Sequence, residues 1–179
     1  MPDSRFVEAL HAQIARELGA GQQYLAVAVF YDAQTLPRLA GFFYAQAAEE
    51  RGHGLMMVRY LLDRSVPVTI PGIDAPHTDF DDIVAPVRIS LEQEKKVSGQ
   101  ISELAGIARE AGDYLSEQFM GWFLAEQVEE EATMSALLDV VERSRERPMD
   151  IEDYLGREAL DGGGGDGPPA PPQAGDGAA

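Results

Sequence analysis

Glu50 and His53 are the pair in this chain best placed to do chemistry. They stand three positions apart in Glu49-Glu50-Arg51-Gly52-His53, inside an apolar-periodic segment from Leu39 to Leu62 that reads as a helix. At roughly 100° per residue, positions three apart lie within about 60° of each other, so carboxylate and imidazole project to one side. The preceding run, Phe42-Phe43-Tyr44-Ala45-Gln46-Ala47, is too apolar for a fully solvated helix. A carboxylate and an imidazole facing an apolar interior need a compensating positive charge, and a metal ion supplies one. Taken alone, Glu-x-x-His reads more readily as exposed charge, the usual state of such side chains.

Other stretches shift that balance. Glu126-Gln127-Val128-Glu129-Glu130-Glu131 repeats the three-residue spacing with Gln127 and Glu130, and Trp122, Phe123, Leu124 and Val128 around it suggest that part of it faces inward. Glu94 falls among Val87, Leu91, Val97, Ile101, Leu104 and Ile107. Glu17 and Tyr24, seven apart, lie on nearly one line of another apolar-periodic segment. Tyr24 alone would be an ordinary core aromatic.

Four long helices are expected to carry these residues. Helix A runs from Phe6 to Asp32, with Val7, Leu10, Ile14, Leu18, Leu25, Ala28 and Val29 as its apolar stripe and Ser4 or Asp3 as its N-cap. Pro37 opens helix B, which continues to Asp63 with Gly52 and Gly54 inside it. Ser65 to Asp82 holds Pro67, Pro71-Gly72 and Pro76 and is not helical. A helix of about 27 residues is about 40 Å long. Eighteen extended residues reach about 60 Å, so this loop can carry the chain back along the bundle and make helices B and C parallel. Helix C covers Ile83 to Ala111, with Pro86 in its first turn, and Gly112 caps it. Helix D covers Tyr114 to Arg145, and a short fifth helix covers Met149 to Leu160. Glu17, Glu50, His53, Glu94, Gln127 and Glu130 all sit near mid-helix, at one height in an up-down bundle. Four carboxylates in one layer cannot all ionise without a counter-charge. Two divalent metals would supply it, and oxygen ligands with one imidazole suit iron or manganese.

Composition narrows the classes. The 179 residues carry a formal charge of −17, which repels nucleic acid and anionic membranes and attracts cations. No apolar run approaches the roughly 20 residues of a transmembrane helix. The N-terminus lacks a signal-peptide profile, and a cytoplasmic protein fits best. With no cysteine, zinc ribbons, iron–sulfur clusters and thiol nucleophiles are excluded. A single domain, residues 1–161, is followed by a Gly/Pro/Ala-rich tail, 162–179, that cannot bury a core and is expected to be disordered.

The four helices, the crossover and the combination of Glu17 with Tyr24, Glu49-Glu50-x-x-His53, Glu94 and Glu126-Gln127-x-Glu129-Glu130 resemble the bacterial non-haem ferritins over about Phe6 to Leu160. The resemblance implies an all-α four-helix bundle with one long crossover and a short fifth helix, assembled as a hollow shell of twenty-four subunits. It implies ferroxidase activity, with dioxygen as acceptor and Fe(III) mineral stored inside. Glu17, Glu50 and His53 would hold the first iron. Glu50 would bridge to a second, shared with Glu94 and Glu130. Gln127 would hydrogen-bond near the centre, and Tyr24 would be the adjacent redox-active tyrosine. Glu49, Glu126 and Glu129, with Glu130 shared, would form a third iron site. The fifth helix would surround the four-fold axis, and Glu117 would be the acidic residue at a three-fold pore.

Two departures separate the chain from haem-containing bacterioferritins. Arg51 stands where those place a haem-ligating methionine, and Gln127-x-x-Glu130 replaces their Glu-x-x-His, so no haem is expected. Mini-ferritins that coat DNA lack the fifth helix. Two other functions remain: a bundle serving as cargo or scaffold, docked to a protein partner through residues 162–179, and a di-iron oxidoreductase or peroxidase acting on a small molecule. The second would leave Glu49, Glu126 and Glu129 without a purpose.

Overall fold

The computed structural model describes residues 2–161, so the 162–179 tail lies outside the described residues. Five α-helices make up the fold: α1 (Ser4–Ala33), α2 (Pro37–Asp63), α3 (Ala85–Glu110), α4 (Tyr114–Arg143) and α5 (Pro148–Asp161). Among the described residues there is no strand. The fold class read from sequence is therefore the one observed. Helix C begins two residues later than its apolar pattern suggests, because Asp82 stops the chain there. Its Oδ1 accepts from the backbone N–H groups of Val84 (2.9 Å) and Ala85 (2.8 Å). Asp3 caps α1 by accepting from Arg5 N–H at 2.8 Å. Gly112, at φ +67°, supplies the left-handed residue that turns α3 into α4.

Topology follows from a few contacts. Tyr24 of α1 meets Glu94 of α3, and Tyr31 Oη, further along α1, donates to the Ile83 carbonyl at 2.7 Å, so α1 and α3 are antiparallel. The short connector at 34–36 makes α1 and α2 antiparallel, and hence α2 and α3 are parallel. The crossover runs the length of α1. Val66 packs near Phe6, the Gln23 amide clamps His77 through both its backbone groups, and Phe80 stacks edge-on against Phe30 at 5.1 Å. α1 packs chiefly on α2, and α3 on α4.

α5 closes one end. Leu36 offers α2 no side-chain cap, and Pro37 occupies the first turn. Glu152 of α5 fills the role: Oε2 accepts from Arg38 N–H at 2.8 Å and Oε1 from Leu39 N–H at 2.9 Å. Arg38 returns a bond from Nη1 to the Glu152 carbonyl at 2.7 Å.

The interior is two apolar clusters rather than one. One gathers Tyr24, Tyr31, Phe43, Val87, Met134 and Ile151 toward the α5 end. The other gathers Phe6, Ile14, Met57, Ile101, Met120 and Phe123 at the opposite end. Between them lies a buried polar layer. Parts of the apolar pattern do not turn inward: Leu25, Val29 and Val128 are exposed, Val128 by 70%. Val128 therefore does not help enclose the acidic run of α4, which reaches the interior on a different face.

Candidate metal centre

Each of the four long helices contributes to the polar layer. α1 supplies Gln13 and Glu17, α2 supplies Gln46, Glu50 and His53, α3 supplies Glu94, and α4 supplies Glu126, Gln127 and Glu130, all buried. Glu17 and Glu50 face each other because two glycines let α1 and α2 approach closely. A Cβ on Gly21 would lie 3.0 Å from the Ala47 carbonyl oxygen and 3.4 Å from Glu50 Cβ. A Cβ on Gly54 would lie 3.1 Å from Leu18 Cδ2. Gly52 meets nothing within 4 Å, so of the two glycines on that stretch only Gly54 is required by packing.

Glu17, Glu50 and His53 form the tightest group, with a ligand-capable atom from each within 4.8 Å of the others. His53 Nδ1 stands 3.6 Å from Glu50 Oε2, too far for a hydrogen bond. Trp122 and Phe123 meet the imidazole edge-on, with centroids 5.8 and 5.6 Å away, and fix its plane. Glu17 accepts from Gln13 Nε2 at 2.7 Å, and Arg16 Nη1 holds the Gln13 oxygen at 3.1 Å.

Glu94 lies beside this group and is held from two sides. Tyr24 Oη donates to its Oε1, and Gln127 Nε2 donates to its Oε2 at 3.0 Å. A second triad, Glu49, Glu126 and Glu130, has ligand-capable atoms within 4.8 Å of one another. Glu49 is exposed, so this triad opens to the surface, and Gln46 Nε2 donates to Glu49 at 2.9 Å. Glu129 is exposed and outside the triad. Glu117 is half-buried and bound by Arg109, Nε and Nη2 each at 2.7 Å.

The electrostatics are those of a site short of positive charge. Burial pushes the Glu17 and Glu50 carboxyls well above the usual carboxylate range, helped at Glu17 by the Glu50 charge and at Glu50 by the Glu94 charge. Burial, then the Glu49 and Glu94 charges, raises Glu130 to about 8. Burial also raises Glu94 and Glu126, while hydrogen bonds from Tyr24 and Gln127 restrain the rise at Glu94. Burial and the Glu94 charge hold the Tyr24 phenol firmly protonated. Glu50 Oε2, Glu126 Oε2 and Gln46 Oε1 are buried without a hydrogen-bond partner. Protein interiors rarely leave such atoms unpaired. Carboxylate oxygens with one imidazole, unpartnered and mutually repelling, fit hard divalent cations.

Spacing revealed Glu17, Glu50, His53, Glu94, Gln127 and Glu130 but not the amides that hold the layer. Gln13 and Gln46 stand four residues before Glu17 and Glu50. That one-turn offset is the signal that could have found them.

The ferritin-like domain profile matches residues 7–144. The chain is 49% identical over 173 residues to ferritin BfrB of Mycolicibacterium smegmatis, covering 97% of this chain and 94% of that protein. It is 36% identical over 143 residues to the bacterial non-heme ferritin of Staphylococcus aureus strain MRSA252, covering 80% and 86%. The solved structure of an engineered closed form of the Archaeoglobus fulgidus ferritin superposes with a TM-score of 0.84 at 26% identity, over 89% of this chain and 98% of that one.

Proposed function

The chain belongs to the ferritin family, and from that premise we propose that it stores iron by oxidising Fe(II) at a centre inside each subunit. The carrying observation is the Glu17–Glu50–His53 group, sealed between two apolar clusters with Glu50 Oε2 unpartnered. Glu17, Glu50 and His53 bind the first Fe(II) as substrate. Glu50 reaches across to the second, which Glu94 and Glu130 complete. Hard carboxylates favour Fe(III) over Fe(II) and so ease the loss of an electron to dioxygen.

The remaining groups orient and discharge. Gln13 holds Glu17, and Gln127 and Tyr24 hold Glu94, so their carboxylates keep their aim while ions come and go. Tyr24 sits beside the centre as a protonated phenol able to supply a further electron and proton. Protons carried by Glu17, Glu50 and Glu130 leave as cations bind, since one positive charge replaces another. Glu49, Glu126 and Glu130, with Glu129 at their exposed side, receive iron on its way to the cavity. Twenty-four copies enclose that cavity in the cytoplasm, and α5 lines the four-fold axis. Among the described residues no helix is long and apolar enough to cross a membrane.

Two measurements test this reading. The particle mass in solution is expected to be that of a shell, and aerobic Fe(II) addition is expected to give a fast rise in ferric absorbance. A monomer-sized particle, or oxidation no faster than in buffer, overturns it. Haem is not part of the proposal, because the exposed Arg51 follows Glu50 and a guanidinium cannot ligate haem iron. A pyridine haemochrome assay on protein from haem-replete cells is expected to show no stoichiometric haem.

A further inference from the structure

We propose that Ser98 and Glu131 are positioning residues that fix the orientation of the Gln127 amide and, through it, hold Glu94 in place as a metal ligand. The inference rests on the function proposed above and adds two residues that it does not use. Glu94 and Ser98 are one turn apart on α3, and Gln127 and Glu131 are one turn apart on α4. Across the α3–α4 contact they form two adjacent rungs. In the first, Gln127 Nε2 meets Glu94 Oε2 at 3.0 Å and the Glu94 carbonyl at 3.3 Å. In the second, Ser98 Oγ donates to Glu131 Oε1. The rungs are joined by Gln127 Nε2 and Ser98 Oγ at 3.4 Å.

The direction of these bonds is forced by chemistry. An ionised carboxylate only accepts, so Glu131 takes the single hydrogen of the Ser98 hydroxyl. Ser98 then has only lone pairs to offer Gln127. Every polar neighbour of Gln127 Nε2 in this ladder is therefore an acceptor: Ser98 Oγ, Glu94 Oε2 and the Glu94 carbonyl. Turning the amide over would set its oxygen against three acceptors. The half-buried Glu131, next to Glu130 in the chain and outside both ligand groups, thus keeps the Gln127 nitrogen aimed at Glu94. Tyr24 fixes the other Glu94 oxygen, and the carboxylate is held at both ends before any ion arrives. Ser98→Ala removes one of the three acceptors and so weakens the preference for this amide orientation. Glu131→Leu frees the hydroxyl to donate to the amide oxygen, which rewards the wrong orientation.

Co(II) titration of the apo-protein, followed by calorimetry and by visible absorption, separates this role from a merely structural one. The wild type is expected to bind two Co(II) per subunit in the layer. Ser98→Ala and Glu131→Leu are each expected to weaken one of them about tenfold or more and alter its visible band, as loss of outer-shell support usually does. The other ion should bind as before, and thermal melting should report an intact fold. Ser98→Thr, which keeps the hydroxyl, should restore wild-type binding. Wild-type affinities and spectra in both Ser98→Ala and Glu131→Leu would overturn the positioning role alone, as would a Ser98→Thr variant as weak as Ser98→Ala. A wild type that binds no Co(II) in this layer would instead overturn the proposed centre, and the inference with it.

Discussion

At the junction of α5 with α2, the Glu152 carboxylate is 4% exposed and receives two backbone N–H groups, one on each oxygen. In the middle of the bundle the Glu50 carboxylate is 2% exposed, yet its Oε2 has no hydrogen-bond partner. Burial is nearly the same, and the provision of donors is opposite. A helix N-terminus has free N–H groups and a partial positive charge, so a carboxylate there is satisfied by the fold itself. Mid-helix, every backbone N–H is already used, and a carboxylate can be satisfied only by side chains, protons or cations. At Glu50 the charges of Glu94, Glu130 and Glu49 worsen the deficit. Buried acids at helix starts serve architecture. Buried acids in mid-helix without donors keep capacity for a proton or a cation.

Glu50→Ala gives the largest expected effect. The fast phase of ferric absorbance after aerobic Fe(II) addition should vanish, while the apo melting temperature holds or rises because repulsion in the layer is relieved. Fast oxidation close to wild type would place Glu50 with Glu152 after all. Next in size is the pH dependence of the apo-protein. Glu130 titrates near 8 in the folded chain against a reference of 4.5, so the native state binds the extra proton between these values. Its contribution to stability is fully present below about 4.5 and is lost as pH rises through about 8. Apo unfolding free energy should therefore fall from pH 5 to 8, by a few kcal/mol at most, with the melting temperature falling alongside, and Glu130→Gln should reduce that slope. An equal slope in the variant would remove Glu130 from the deficit.

Glu152→Ala should act in the reverse sense to Glu50→Ala. Losing the cap on α2 should lower stability by about 1–2 kcal/mol in thermal or denaturant unfolding. The initial rate of iron oxidation should stay near wild type. The smallest contrast lies inside the second triad. Glu126→Ala removes a buried carboxylate with one unpartnered oxygen and should alter the iron-to-oxygen stoichiometry or slow later turnovers. Glu129→Ala removes an exposed one and should do so less. Equal effects in repeated-turnover assays would make Glu129 a full partner of the triad.

Local spacing carried most of this molecule. The three- and four-residue periods located the four long helices, and the proline-rich stretch located the crossover. The Glu-x-x-His and Gln-x-x-Glu pairs brought the inner layer together at mid-height. Periodicity misjudged Leu25, Val29 and Val128, because an apolar stripe says that water is disfavoured and not which surface excludes it. It was silent on Glu152, which caps α2 by accepting from Arg38 N–H, 114 positions earlier in the chain. No local signal links such residues. Gly54 had no sequence rationale, since close approach exists only once two helices are packed. Glu129 shares its spacing with the triad, yet its side chain stays at the surface, for neighbouring positions on one helix point about 100° apart.

The pairing of α1 with α2 and of α3 with α4 into two hairpins, with the acidic layer spanning both, has a kinetic consequence. Each hairpin closes through a short connector, so its contacts are local in sequence and form quickly. Glu17, Glu50 and His53 ride on one hairpin, and Glu94, Glu126 and Glu130 on the other. Bringing the hairpins together sets these carboxylates against one another before any cation is present, so the layer opposes the docking that the two shared apolar clusters drive. The long crossover must also be closed at this step, adding its loop entropy. A divalent ion bound across the layer turns that repulsion into attraction. On the proposed function, the same ion that the finished site would process would also ease this docking step of the subunit's own folding.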